Sequence, residues 1–157
     1  MSMGNERVLL SAEVAATEAL GEALGRGLDA GDVVALRGDL GTGKTALTRG
    51  IARGLGVTEP VQSPTFALLH EYPGRTTLYH FDAWMSGREV GFLESGGAQL
   101  LGGDGVCVVE WAERIAPYLP DARLEVVLAH LGPTRRSLRF TVLGAGERAE
   151  RLAGLVA

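Results

Sequence analysis

Lysine is almost missing from this chain. Among 157 residues there are 15 basic side chains, and Lys44 is the only lysine; all the others are arginines. Cysteine is as scarce: a single residue, Cys107, excludes an intrachain disulfide. Its setting, Val106-Cys107-Val108-Val109, reads as a buried structural thiol rather than a nucleophile. No apolar run approaches membrane-spanning length, and the N-terminus shows no hydrophobic stretch with a cleavage site, so a cytoplasmic protein without membrane attachment is expected. There is no excess of positive charge either. The net charge of −4 excludes the basic footprint of a general nucleic-acid binder. The one local basic cluster, Arg135, Arg136 and Arg139, reads as a solvated strand face. Repeats, linkers and low-complexity segments are absent. With 46% hydrophobic and 22% charged residues, residues 1–157 are expected to form one globular domain. Glycine, by contrast, is plentiful at 23 residues. Beside the preference for arginine, it reads as the compositional bias of a GC-rich genome.

The lone lysine sits in Gly38-Asp39-Leu40-Gly41-Thr42-Gly43-Lys44-Thr45, which fits the phosphate-binding pattern G-x-x-x-x-G-K-[ST]. Arginine would fail here. The slot needs a compact ammonium that reaches between two phosphates, and a planar guanidinium is too broad. The flanks supply the required context. Val33-Val34-Ala35-Leu36 is a continuous apolar run, as a strand buried on both faces should be. Thr45 to Ala52 continues as a helix that stops near Gly54 or Gly56. Upstream, Val8-Leu9-Leu10 reads as a short strand, and Ser11 as the N-cap of an amphipathic helix over residues 12–28, with Glu13 in its first turn. Downstream, residues 66–71 and 76–81 flank a Pro-Gly turn and read as an antiparallel hairpin. Residues 86–104 are rich in glycine, with one or two short helices between Glu89 and Leu101. Gly105 to Trp111 is another buried strand. Leu124 to Leu128 and Ser137 to Leu143 are late strands, and Gly146 to Val156 a closing helix. This order predicts an α/β three-layer P-loop NTPase fold with a mixed, partly antiparallel sheet.

The chemistry follows from the loop. Backbone amides of Asp39, Leu40, Gly41, Thr42, Gly43, Lys44 and Thr45 are expected to cradle phosphates at a helix N-terminus. Lys44 would bridge the β and γ phosphates, and the Thr45 hydroxyl would ligate Mg²⁺. Two carboxylates stand at the C-terminal ends of apolar strands, where open α/β sheets place their ligands: Asp82 and Glu110. One could hold the metal, directly or through its water, and the other could orient or deprotonate the attacking water. Thr65, in Ser63-Pro64-Thr65, reads either as a switch residue sensing the γ-phosphate or as part of a plain Ser-Pro turn. His80 shares a strand face with Asp82 and reads as a structural histidine or as half of a metal pair. Trp84 and Trp111 each follow a candidate carboxylate and read as core or as packing near the nucleotide. A guanine-reading N-K-x-D element needs a lysine, and the only one is committed, so the expected nucleotide is ATP.

Together, Gly38 to Thr45, Ser63-Pro64-Thr65-Phe66, His80-Phe81-Asp82 and Val109-Glu110-Trp111-Ala112-Glu113-Arg114 closely resemble the TsaE (YjeE) family in order, spacing and chain length. The resemblance runs from about residue 8 to residue 143. It implies a bacterial P-loop ATPase that assists formation of threonylcarbamoyladenosine next to the tRNA anticodon. The transfer chemistry would belong to the partners TsaD and TsaB, with tRNA met only indirectly and hydrolysis slow without them. It implies Thr45 and Glu110 as Mg²⁺ ligands, Asp82 in support of hydrolysis, and Trp111 beside the active site; the catalytic set expected is then Lys44, Asp82 and Glu110. It also matches Ser11 and Thr17 to the adenine side and Arg136 to a late family arginine. Three features depart from the pattern: Ala83-Trp84-Met85 replaces a Leu-Tyr-Arg element, Ala112 replaces a proline after Glu110-Trp111, and Glu89 to Leu101 matches poorly the acidic helix expected there, so no partner contacts are carried over to it. Two other readings fit the residues: a small-molecule kinase, in which a substrate hydroxyl replaces water, and an ATP-gated protein-binding module.

Overall fold

The structure is a computed structural model and describes residues 6–39, 41–61, 69–83 and 88–156. In chain order its strands are β1 (Glu6–Ser11), β2 (Val33–Arg37), β3 (Leu69–Tyr72), β4 (Leu78–Asp82), β5 (Val106–Glu110), β6 (Arg123–His130) and β7 (Arg136–Leu143). The helices are α1 (Val14–Gly27), α2 (Lys44–Gly54), α3 (Arg88–Glu94) and α4 (Glu147–Val156), with 3-10 turns at Gly97–Leu100 and Ala112–Tyr118. All seven strands form one sheet in the order β1-β7-β6-β2-β5-β4-β3. The centre, from β6 through β2 and β5 to β4, is parallel. The two flanks, β1-β7-β6 and β4-β3, are antiparallel. The fold is therefore the expected α/β layering around a mixed sheet.

Strand alternation divides the core in two. Val34, Leu36, Leu78, Val106 and Val108 face the layer of α1, α2 and α4. Val33, Ala35, Tyr79, Phe81, Cys107 and Val109 face α3 and the 3-10 turns. Cys107 is fully buried, as its apolar setting predicts, and burial pushes its thiol up to about 12.

The glycine content acquires a structural cause here. α1 and α2 carry Gly21 and Gly25, and Gly50 and Gly54, one helical turn apart on facing surfaces. A β-carbon on Gly50 would stand 2.1 Å from the Glu18 carbonyl oxygen, and one on Gly25 would stand 2.3 Å from that of Ile51. The backbones touch, and no larger residue fits between them. Genome composition alone does not account for these four positions.

The start of α1 also departs from expectation. Ser11 closes β1 rather than capping the helix, which begins at Val14 after Glu13 and has no side-chain cap. The Ser11 hydroxyl instead donates to the Glu13 carbonyl (2.8 Å) and lies 2.7 Å from the Thr17 hydroxyl. At the other end of this layer, the fully buried Asp32 carboxylate accepts from the Asp29 amide (2.8 Å), from Arg148 (2.7 Å) and from Arg151. It ties α4 to the start of β2. Its hydrogen bond raises the Arg151 guanidinium above its ordinary value.

Candidate active site

The site forms where β2 runs into α2. Gly38 ends the strand's exit, Gly43 stands at φ 105° directly before the helix, and Gly41 at φ 79° turns the loop. These left-handed conformations suit residues without a β-carbon. Thr42 is buried, and both its hydroxyl (2.7 Å) and its amide (3.2 Å) donate to the Asp39 carbonyl. The loop is thus folded on itself. One of the amides expected in the phosphate cradle is engaged inside it. Asp39 is exposed; Leu40 lies outside the described residues.

Lys44 opens α2 and is only 6% exposed. Its ammonium donates to the Gly38 carbonyl (2.7 Å) and sits 4.3 Å from the centre of the Trp111 ring. Trp111 reaches that position by a backbone turn at φ 58°, the one non-glycine residue with positive φ among the described residues. Holding a bulky side chain there costs about 1–3 kcal/mol, which the ring recovers in part through its cation–π contact. Thr45 follows, half-buried at the helix start.

The carboxylates arrive by register. Asp82 and Glu110 are paired across the parallel β4–β5 ladder, and Glu110 is paired with Leu36 of β2 on its other side. Both side chains share a sheet face with Val108, the face toward α2. Glu110 is nearly buried and Asp82 half-buried. His80, two residues before Asp82, reaches the Glu110 carboxylate (Nε2 to Oε2, 2.6 Å). Neither sequence spacing nor composition announces that bond, because it crosses strands diagonally. Among the described residues no cluster of three or more His, Cys, Asp or Glu could hold a metal ion.

A cavity of about 390 Å³ opens beside the loop, between the start of α1 (Val14, Ala15, Thr17), Ala46 of α2, and Pro133, Thr134 and Arg136. Arg136 is not simply a solvated strand residue. Its guanidinium donates to the Gly41 carbonyl (3.2 Å) and to that of Gly132 (3.1 Å), joining β7 to the phosphate loop. Arg135 and Arg139 are exposed, as the strand-face reading expects. Thr65 and Trp84 lie outside the described residues.

Known proteins share both the sequence and this architecture. The sequence profile described as threonylcarbamoyl adenosine biosynthesis protein TsaE matches residues 11–138. The chain belongs to the TsaE family. Its relatives include the tRNA threonylcarbamoyladenosine biosynthesis protein TsaE of Treponema pallidum, 42% identical over 75% of this chain and 87% of that protein. The TsaE protein of Bacillus subtilis is 45% identical over 73% of this chain and 72% of its own length. A crystal structure of Bacillus subtilis YdiB superposes with a TM-score of 0.80 at 35% identity, covering 96% of this chain and 93% of that one. For this TsaE-family chain, the P-loop fold and its nucleotide-binding character follow from that membership.

Proposed function

We propose that this chain hydrolyses ATP with Mg²⁺ as an accessory to threonylcarbamoyl modification of the tRNA adenosine next to the anticodon, acting with TsaD and TsaB. The observation that carries the reading is a buried P-loop lysine lying over the ring of Trp111, the residue after Glu110, with Glu110 and Asp82 held in one register. Family membership gives the biological setting: the relatives are named for that modification.

The N-terminus of α2 and the loop amides between Asp39 and Thr45 would receive the phosphates, the Thr42 amide only after it leaves the Asp39 carbonyl. Lys44 leaves the Gly38 carbonyl and bridges the β and γ phosphates. The cavity between α1 and Arg136 takes the nucleoside, with Thr17 on its wall and Ser11 bracing Thr17 from behind. Trp111 packs beside the phosphate end, and Thr65 senses the γ-phosphate.

Thr45 and Glu110 would hold Mg²⁺. An alcohol oxygen and a carboxylate oxygen are donors that suit a hard cation. When bound, the ion neutralises charge developing on the transferred phosphoryl group. Asp82, next to Glu110, orients or deprotonates the attacking water. tRNA is met only through the partners, in keeping with the acidic net charge.

Phosphate release by the full chain, alone and with the TsaD–TsaB pair, tests this reading. Slow turnover alone and a clear acceleration in the assembly are expected. Equal rates in both would overturn it.

A further inference from the structure

His80 is fully buried in the middle of β4, yet the reading above gives it no task. A carboxylate only accepts hydrogen bonds, so the 2.6 Å contact means that His80 Nε2 carries the hydrogen and donates it to Glu110 Oε2. The other ring nitrogen, Nδ1, is buried and has no hydrogen-bond partner among the described residues. Buried polar atoms are normally satisfied, and leaving one orphaned is costly. A histidine kept only to fill the core would be cheaper as an apolar residue of the same shape. The polar capacity this ring does use is directed at a single carboxylate oxygen.

The donor also arrives from a fixed position. β4 and β5 are locked in register at both His80↔Val108 and Asp82↔Glu110. The imidazole therefore has little freedom to follow a moving carboxylate. It selects one.

We infer that His80 is a positioning residue: it holds the Glu110 carboxylate in one orientation and thereby sets how tightly the site retains a divalent cation. The inference rests on the reading of Glu110 as a metal ligand. Groups that orient a metal ligand from behind affect affinity by roughly 10–100-fold when removed.

The test compares His80→Leu, His80→Gln and Glu110→Gln in the full chain loaded with ADP. Leucine keeps the volume and removes the donor, whereas glutamine places an amide N–H near the position of Nε2. Mn²⁺ affinity is read from the paramagnetic resonance of free Mn²⁺, ADP affinity is measured in EDTA, and melting temperature is recorded. Expected is a loss of about tenfold or more in Mn²⁺ affinity for His80→Leu, recovery to within about threefold in His80→Gln, and unchanged metal-free ADP binding in both. If Glu110→Gln loses Mn²⁺ while His80→Leu does not, this inference is overturned and the Glu110 assignment stands. If Glu110→Gln keeps Mn²⁺, the assignment itself falls and takes the inference with it. If both His80 variants weaken Mn²⁺ and metal-free ADP binding alike, the ring is only a core residue and the inference is again overturned. Should His80→Leu fail to fold, His80→Asn, whose amide is too short to reach Oε2, replaces it.

Discussion

On one face of the sheet, α1 and α2 meet backbone to backbone at four glycines, and Asp32 bolts α4 to β2. On the other, among the described residues, α3 has seven residues and much of the remaining cover is 3-10 turns. The side chains of Lys44, His80, Asp82 and Glu110 belong to the first face. Groups that must keep fixed distances are mounted where neighbouring backbones leave no slack. The second face, held together mainly by apolar side chains, contributes the turn that brings Trp111 over the lysine. Short helices take their stability from packing rather than from their own hydrogen bonds, so that cover should be the more tolerant of change.

The same substitution on the two faces should therefore have opposite signs. Gly50→Ala forces the α1 and α2 backbones apart and should cost about 3 kcal/mol in urea unfolding. A change below about 0.5 kcal/mol would mean that the two helices can slide without penalty. Asp32→Asn removes the charge between Arg148 and Arg151 and should cost about 2 kcal/mol, with α4 the first element to lose amide-exchange protection.

Cys107 gives a smaller, pH-dependent effect from the second face. Its folded value, raised from 9.0 to about 12, lies above that of the unfolded chain. Below pH 9 both states keep the proton and the thiol contributes no pH dependence. Above it the unfolded state releases the proton first, so stability falls as pH rises, by about 1 kcal/mol near pH 10 relative to Cys107→Ala. Parallel stability curves for the two proteins up to pH 10 would show that the thiol is not sealed. The smallest effect is Gly91→Ala in α3, where an added β-carbon meets nothing within 4 Å. It should stabilise by about 0.5 kcal/mol through helix propensity, and a melting temperature lowered by this change would contradict the picture of an undemanding second layer.

What was legible in the sequence was local. The phosphate loop, its strand and its helix follow from consecutive residues. Asp82 and Glu110 could be singled out because each ends an apolar run. The misreadings arise where distant segments meet. Ser11 precedes a helical periodicity and looks like a cap, but β1 extends through it to pair with Arg136 of β7. The glycines of α1 and α2 look like composition until two helices are seen to need them at one crossing. Arg136 resembles its exposed neighbours in sequence and differs only because β7 carries it to the loop. The diagonal from His80 to Glu110 depends on which strand lies beside β4, and no periodicity within either strand encodes that.

The pairing of β4 with β5 carries an implication for length variation among related chains. Side chains alternate sides at every residue, so a single-codon deletion between Leu78 and His80 would rotate both His80 and Asp82 through the sheet to the wrong surface. Losing two codons preserves which way they point but withdraws them by one pleat. Tolerated insertions should therefore fall ahead of the strand rather than within it, where added chain leaves unchanged which residue stands opposite Glu110.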